Sequence, residues 1–147
     1  MPSLVRRYIK TSFAFLLTGL ALGGYIVVSE LVVGTYPPRP VITAHVHLLL
    51  VGFMVMIVMG VPTWMFPRPA RDDTGYRPEL AETVYWVMTL ATAVRSVAEV
   101  LAGWWAAPWL RAAVVAGDLG QIAGTALFVL NTWSRVRMPA AAPAARH

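Results

Sequence analysis

The stretch that decides the fold is Thr43–Gly60, TAHVHLLLVGFMVMIVMG, an apolar run with two histidines near its start. Within Val41–Phe66 there is no charged residue, and this run exceeds the ~20 residues that a helix needs to cross a bilayer. His45 and His47 are two of the three histidines in the chain, and the third is the last residue. Because an imidazole inside a membrane-length apolar run is costly, these two side chains are the first candidates for function.

Three further apolar runs accompany this one, and together they predict an all-α integral membrane four-helix bundle. The predicted spans are residues 8–33, 41–66, 83–107 and 109–133, in one domain over residues 1–138, followed by a disordered tail at 139–147. A chain that is 58% hydrophobic and 13% charged is too apolar for a soluble domain. The first run is long and lacks a small-residue cleavage site, so we expect a retained helix and no cleavable signal.

Basic residues predict the orientation. Nine of them lie in the N-terminal segment, in the loop between the second and third spans, or in the tail: Arg6, Arg7, Lys10, Arg68, Arg71, Arg77, Arg135, Arg137 and Arg146. The other two connections, together with the first residues of the spans that follow them, hold only Arg39 and Arg111. This asymmetry predicts that both termini are cytoplasmic (N-in/C-in) in a multi-pass protein of the inner membrane. The net charge of +5 therefore indicates contact with the lipid bilayer, with no nucleic-acid partner.

In that orientation the polar residues of the spans gather in the outer half of the membrane. Arg95 and Glu99 are spaced i, i+4 and can pair on one helix face, or Arg95 can pair with Asp118 across helices. Such a pair could simply stabilise the bundle. Alternatively, Arg95 or Arg39 could hold an anionic group such as a haem propionate, since the guanidinium fork suits carboxylates.

The two histidines point in different directions. Positions 45 and 47 are ~200° apart on a regular helix, so they cannot both ligate one metal centre. One can bind a ligand within the bundle while the other faces a partner protomer or the head groups, or either can be a structural histidine. Gly52 and Met56 follow His45 on one face, and a glycine there would let a flat macrocycle lie against the helix. Methionine and imidazole together also suit copper, although methionine at helical spacing usually packs.

Two segments resemble a known family. They are Ala44–Phe53 and Met59–Arg68, which carry His-x-His, then glycine, Met-Gly and Pro-Arg. They resemble the haem–copper oxidase subunit I superfamily, and are most similar to its small four-helix, cytochrome oxidase subunit I-like relatives, related to the nitric oxide reductase catalytic subunit. Gly117–Gln121 and Phe128–Trp133 add weaker support.

The resemblance implies that His45, or less directly His47, is an axial ligand of a low-spin haem b. Full-length subunits use further histidines for a second haem and a neighbouring metal. With two membrane histidines, this chain is not expected to be an autonomous oxygen reductase. A second histidine ligand would come from the same residue of a symmetry mate in a homo-oligomer. Otherwise the haem would be five-coordinate, or its sixth position would be filled by a methionine such as Met56 or by a small gas such as nitric oxide or oxygen.

Three functions follow from these observations. The first is a b-type haem protein for electron transfer or for binding nitric oxide or oxygen. The second is a cofactor-free accessory or assembly subunit of a respiratory complex, with structural histidines. The third is a copper-binding membrane protein that uses His45, His47 and methionines. Cysteine is absent, which excludes disulfides, iron–sulfur ligation and covalent haem attachment.

Overall fold

The computed structural model describes residues 3–65 and 77–136, and the regular structure of these residues is entirely helical. The helices are α1 (Ser3–Val28), α2 (Arg39–His47), α3 (Met56–Met65), α4 (Pro78–Ala102) and α5 (Pro108–Thr132), with π-helices at Ser29–Val33 and Leu48–Val55 and a 3-10 turn at Trp133–Arg135. They join into four continuous spans, each long and apolar enough to cross a membrane: Ser3–Val33, Arg39–Met65, Pro78–Ala102 and Pro108–Thr132. The expected all-α membrane bundle is confirmed.

The surface of the bundle is apolar. Leu17, Leu31, Val32 and Leu130 are each about 70–80% exposed, and many other large aliphatic side chains are also exposed. A soluble protein rarely exposes apolar area on this scale, whereas lipid tails accept it at no cost. The protein is therefore a multi-pass membrane protein.

The third span begins at Pro78 and ends at Ala102, about five residues earlier at each end than the predicted 83–107. Proline fits the first turn of a helix because it lacks an N–H that would be unsatisfied there. Asn131 of the fourth span fixes this start, since its Oδ1 accepts from Arg77 N (2.9 Å) and its Nδ2 donates to Arg77 O (3.1 Å). Residues 66–76 of the predicted aqueous loop and the tail at 139–147 lie outside the described residues.

The bundle has two distinct ends. The terminal end, where the first span begins, also holds the start of the third span, because Arg7 pairs with Glu82 at 2.8 Å. The opposite end, here called the loop end, holds the connections at 34–38 and 103–107. Both histidines lie near the loop end, within the first helical segment of the second span.

A compact core lies toward the terminal end. Its fully packed members come from the first, second and third spans: Tyr8, Met56, Met59, Val84, Tyr85 and Met88. The rings of Tyr8 and Tyr85 meet edge to face with centroids 5.0 Å apart, and the Tyr85 hydroxyl hydrogen-bonds Thr11 Oγ1 at 2.8 Å. The buried methionines of the second span therefore fill space in this core.

Glycines allow the third and fourth spans to pack closely. A Cβ at Gly117 would lie 2.6 Å from Arg95 Cβ, and a Cβ at Gly120 would lie 2.8 Å from Ala91 Cβ. Gly124 continues the same face. Small residues at this spacing bring two helix backbones together, which supplies van der Waals contact where no hydrophobic effect drives association.

We expect Gly117→Ala to destabilise the bundle. The added methyl group meets backbone and Cβ atoms that cannot rotate away, so the free energy of unfolding should fall by about 1–3 kcal/mol. Thermal unfolding followed by circular dichroism in detergent measures this. The control is Gly24→Ala, where a Cβ meets nothing within 4 Å. Equal melting temperatures for the two variants would contradict the close packing.

Candidate functional site

His45 lies between the second and first spans. Its Nδ1 is 2.8 Å from the carbonyl oxygen of Gly19, and its ring rests on Gly23, where a Cβ would come within 2.7 Å of Cε1. Because a carbonyl only accepts hydrogen bonds, Nδ1 carries the proton in this contact. In the neutral ring Nε2 therefore keeps its lone pair.

His47 lies on the other side of the second span. Its Nδ1 is 2.9 Å from the carbonyl oxygen of Thr43, one turn earlier, and 3.9 Å from Glu99 Oε2 on the third span. The same argument places its proton on Nδ1. The two rings contact different helices, as their spacing predicts, and they do not converge on one centre. Within residues 3–65 and 77–136, no three histidine or carboxylate side chains lie together as a metal site requires.

Arg95 is the centre of a polar network. Its Nε donates to Glu99 Oε1 at 3.1 Å, and its Nη1 donates to Asp118 Oδ1 and, at 3.3 Å, to Gln121 Oε1. Gln121 Nε2 in turn donates to Thr92 Oγ1 at 3.1 Å. Both pairings expected for Arg95 therefore occur together. We call these five residues the Arg95 network.

The Arg95 network is not electrically balanced. It contains one guanidinium and two carboxylates, so with both carboxylates ionised its formal charge is −1. The Asp118 side chain is 45% exposed, whereas that of Glu99 is only 5% exposed. Glu99 Oε2 is buried and has no hydrogen-bond partner among the described residues. A buried carboxylate oxygen without a donor is costly, so it marks the chemically unsatisfied point of the cluster.

A cavity of about 360 Å³ lies beside Glu99 at the loop end. It is lined by residues of the second, third and fourth spans: Arg39, Pro40, Thr43, Glu99, Ala102, Arg111, Val114 and Val115. Arg39 and Arg111 are exposed, while Glu99 is buried. The cavity thus joins two cationic side chains to one anionic side chain.

The other predicted site residues lie elsewhere. Gly52 does not face open space, since a Cβ there would be 2.8 Å from Phe15 Cβ of the first span, and Met56 is fully buried in the core. The predicted face that continues from His45 is therefore occupied by the first span. A larger apolar groove of about 530 Å³ separates the first and third spans, and neither histidine is among its lining residues.

Sequence reasoning missed three parts of the site. The first is the contact of His45 with Gly19 and Gly23, because the i, i+4 glycine pair predicts that a neighbouring helix approaches closely but not which residue it brings there. The second is Arg111, which entered only the charge count for orientation although it shares a cavity with Arg39. The third is the proximity of His47 to Glu99, for which spacing along the chain gives no signal.

Comparison with known proteins gives no relative: no protein-family model, no curated protein and no solved structure matches this chain. The resemblance to haem–copper oxidase subunit I stays a prediction that rests on the residues quoted above.

We expect Arg95→Met to be strongly destabilising. It leaves Glu99 and Asp118 without a cation, and breaking a buried ion pair in this way costs about 3–5 kcal/mol. The matched control is Arg111→Met, which removes an exposed charge and should change stability by less than ~1 kcal/mol. Denaturant unfolding in detergent compares the two. A loss of similar size in both would show that the network does not compensate buried charge.

Proposed function

We propose that this protein is a b-type haem protein of the inner membrane, with His45 as an axial ligand and both termini in the cytoplasm. It would serve in electron transfer or in binding nitric oxide or oxygen. The observation that supports this most directly is the hydrogen bond from His45 Nδ1 to the Gly19 carbonyl. Histidines that ligate metals characteristically donate their other ring N–H to a carbonyl or carboxylate, which orients the ring and frees Nε2.

The surroundings of His45 suit this role. The ring is half-buried between two helices, and the lack of a side chain at Gly23 gives it room. When bound, haem would supply an iron that carries one electron or binds a diatomic gas. The chain's own contribution is to fix the ligand's tautomer and to surround it with apolar helices.

The second axial ligand decides between the two uses. A two-fold homodimer would bring His45 of each protomer to equivalent positions, and two histidine ligands favour electron transfer. A single histidine would leave an open position, which favours gas binding. Met56 is fully buried in the core, about 16 Å along the helix from His45 at ~1.5 Å per residue, so it is a poor sixth ligand.

The positions of Arg95 and Arg39 indicate which histidine could be the ligand of a haem whose propionate binds an arginine. Arg95 already binds two carboxylates and Gln121, which leaves it little capacity for a further anion. Arg39 shares its cavity with Glu99, the residue near His47, and not with His45. A propionate on Arg39 would therefore accompany ligation by His47.

A cofactor-free accessory subunit is the second candidate. It is favoured by the apolar groove of about 530 Å³ between the first and third spans, which a partner helix could fill. A copper protein has less support, because Met56 and Met59 pack in the core toward the end of the bundle opposite the histidines. Metal analysis of the purified protein and co-purification with a larger complex separate these alternatives from the first.

We expect His45→Ala to abolish the haem spectrum. The purified protein should show a b-type Soret band and reduced α band, and the variant should lose them because iron loses its axial nitrogen. His47→Ala is the matched control and should keep both bands. A colourless preparation that takes up no haem, or a spectrum lost only in His47→Ala, would contradict ligation by His45.

A second variant tests the position of the ring without removing it. Gly23→Ala places a methyl group against His45 Cε1, so the ring must shift and haem affinity should fall by tenfold or more, on the order of 1.4 kcal/mol. Gly24→Ala, at the next position, should leave haem affinity unchanged. Haem titration of the apoprotein gives both constants, and equal values would remove Gly23 from the site.

A further inference from the structure

We propose that the cavity beside Glu99 binds the head group of a phospholipid that carries a primary amine. The phosphate would lie on Arg39 and Arg111, and the ammonium would donate to Glu99 Oε2. This site is separate from His45 and does not depend on haem binding.

The charges of the cavity favour a zwitterion. Two exposed arginines and one buried carboxylate line the same space of about 360 Å³. A simple anion would be attracted by the arginines but repelled by Glu99. A simple cation would be attracted by Glu99 but repelled by the arginines. A ligand with both charges meets complementary groups throughout, and arginine is well suited to phosphate oxygens.

The free oxygen of Glu99 specifies a hydrogen-bond donor. Oε1 accepts from Arg95, which fixes the carboxylate and leaves Oε2 buried without a partner in the described structure. His47 faces Oε2 at 3.9 Å, but its Nδ1–H is directed to the Thr43 carbonyl. A primary ammonium has three N–H donors, whereas a quaternary ammonium has none. The site should therefore select ethanolamine over choline head groups.

The position of the cavity favours a lipid over a soluble zwitterion. Arg39 is the first residue of the second span and Arg111 lies in the first turn of the fourth, so both are at head-group depth. Val115, which lines the cavity, continues into Leu119 and Ile122 at helical spacing, and all three are more than half exposed. An acyl chain can follow this stripe away from the cavity.

The test is native mass spectrometry of the full-length protein in detergent. The lipids are phosphatidylethanolamine, phosphatidylcholine and phosphatidylglycerol with identical acyl chains, and soluble phosphoethanolamine is a further probe. We expect phosphatidylethanolamine to bind about tenfold more tightly than the other two lipids, the effect of one charge-assisted hydrogen bond. Equal retention of the three lipids overturns the proposal. Binding of phosphoethanolamine as tight as that of the lipid overturns the lipid assignment.

Variants assign the contacts. Glu99→Gln keeps an acceptor for Arg95 but removes the carboxylate, so the preference for ethanolamine over choline should disappear. The double variant Arg39→Gln/Arg111→Gln should weaken both phosphatidylethanolamine and phosphatidylglycerol about tenfold or more. Arg6→Gln, which changes an exposed arginine at the terminal end, is the control and should leave the affinity for all three lipids unchanged.

An unchanged preference for ethanolamine in Glu99→Gln, or unchanged lipid affinity in the double variant, contradicts the site. Circular dichroism checks that each variant is folded, and the double variant tests the site independently of Glu99.

Discussion

The interaction on which the structure depends is the compensation of a buried guanidinium. Arg95 sits within the third span, where an unpaired charge would be prohibitively expensive. Its partners come from its own helix and from the fourth span. The partners on the fourth span reach Arg95 because Gly117 lets that helix approach within contact of Arg95 Cβ. Close packing and charge pairing are therefore one constraint: a larger residue at Gly117 would also move Asp118 away from its cation.

The second span links this charged interface to the rest of the bundle. It meets the third span through His47 and the first span through His45, and each ring is held by a backbone carbonyl. In the neutral form each ring therefore keeps the lone pair of its Nε2. The haem hypothesis assigns the iron to that nitrogen of His45.

The sequence predicted the features that depend on length and spacing. Four long apolar runs predicted four spans, and the positions of Arg95, Glu99 and Asp118 predicted both ion pairs of Arg95. It did not predict which helix each side of the second span would meet. The π-helix at Leu48–Val55 shifts the angular phase downstream of the histidines, and no pattern in that uniformly apolar segment signals it. Phe15 of the first span packs against Gly52, and the spacing of residues along the chain does not predict this contact.

The same two arginines carry information about both orientation and the site. Arg39 and Arg111 are the basic residues in the first turns of the spans that begin at the loop end, which the predicted orientation places on the side that the positive-inside rule depletes of such residues. Their presence there therefore calls for a local cause. The Arg95 network has more carboxylates than cations, and positive charge nearby lowers the cost of burying Glu99. Arg39 and Arg111 therefore have two roles: they lower the cost of burying Glu99 and, in the proposed site, they bind the phosphate of a zwitterionic head group.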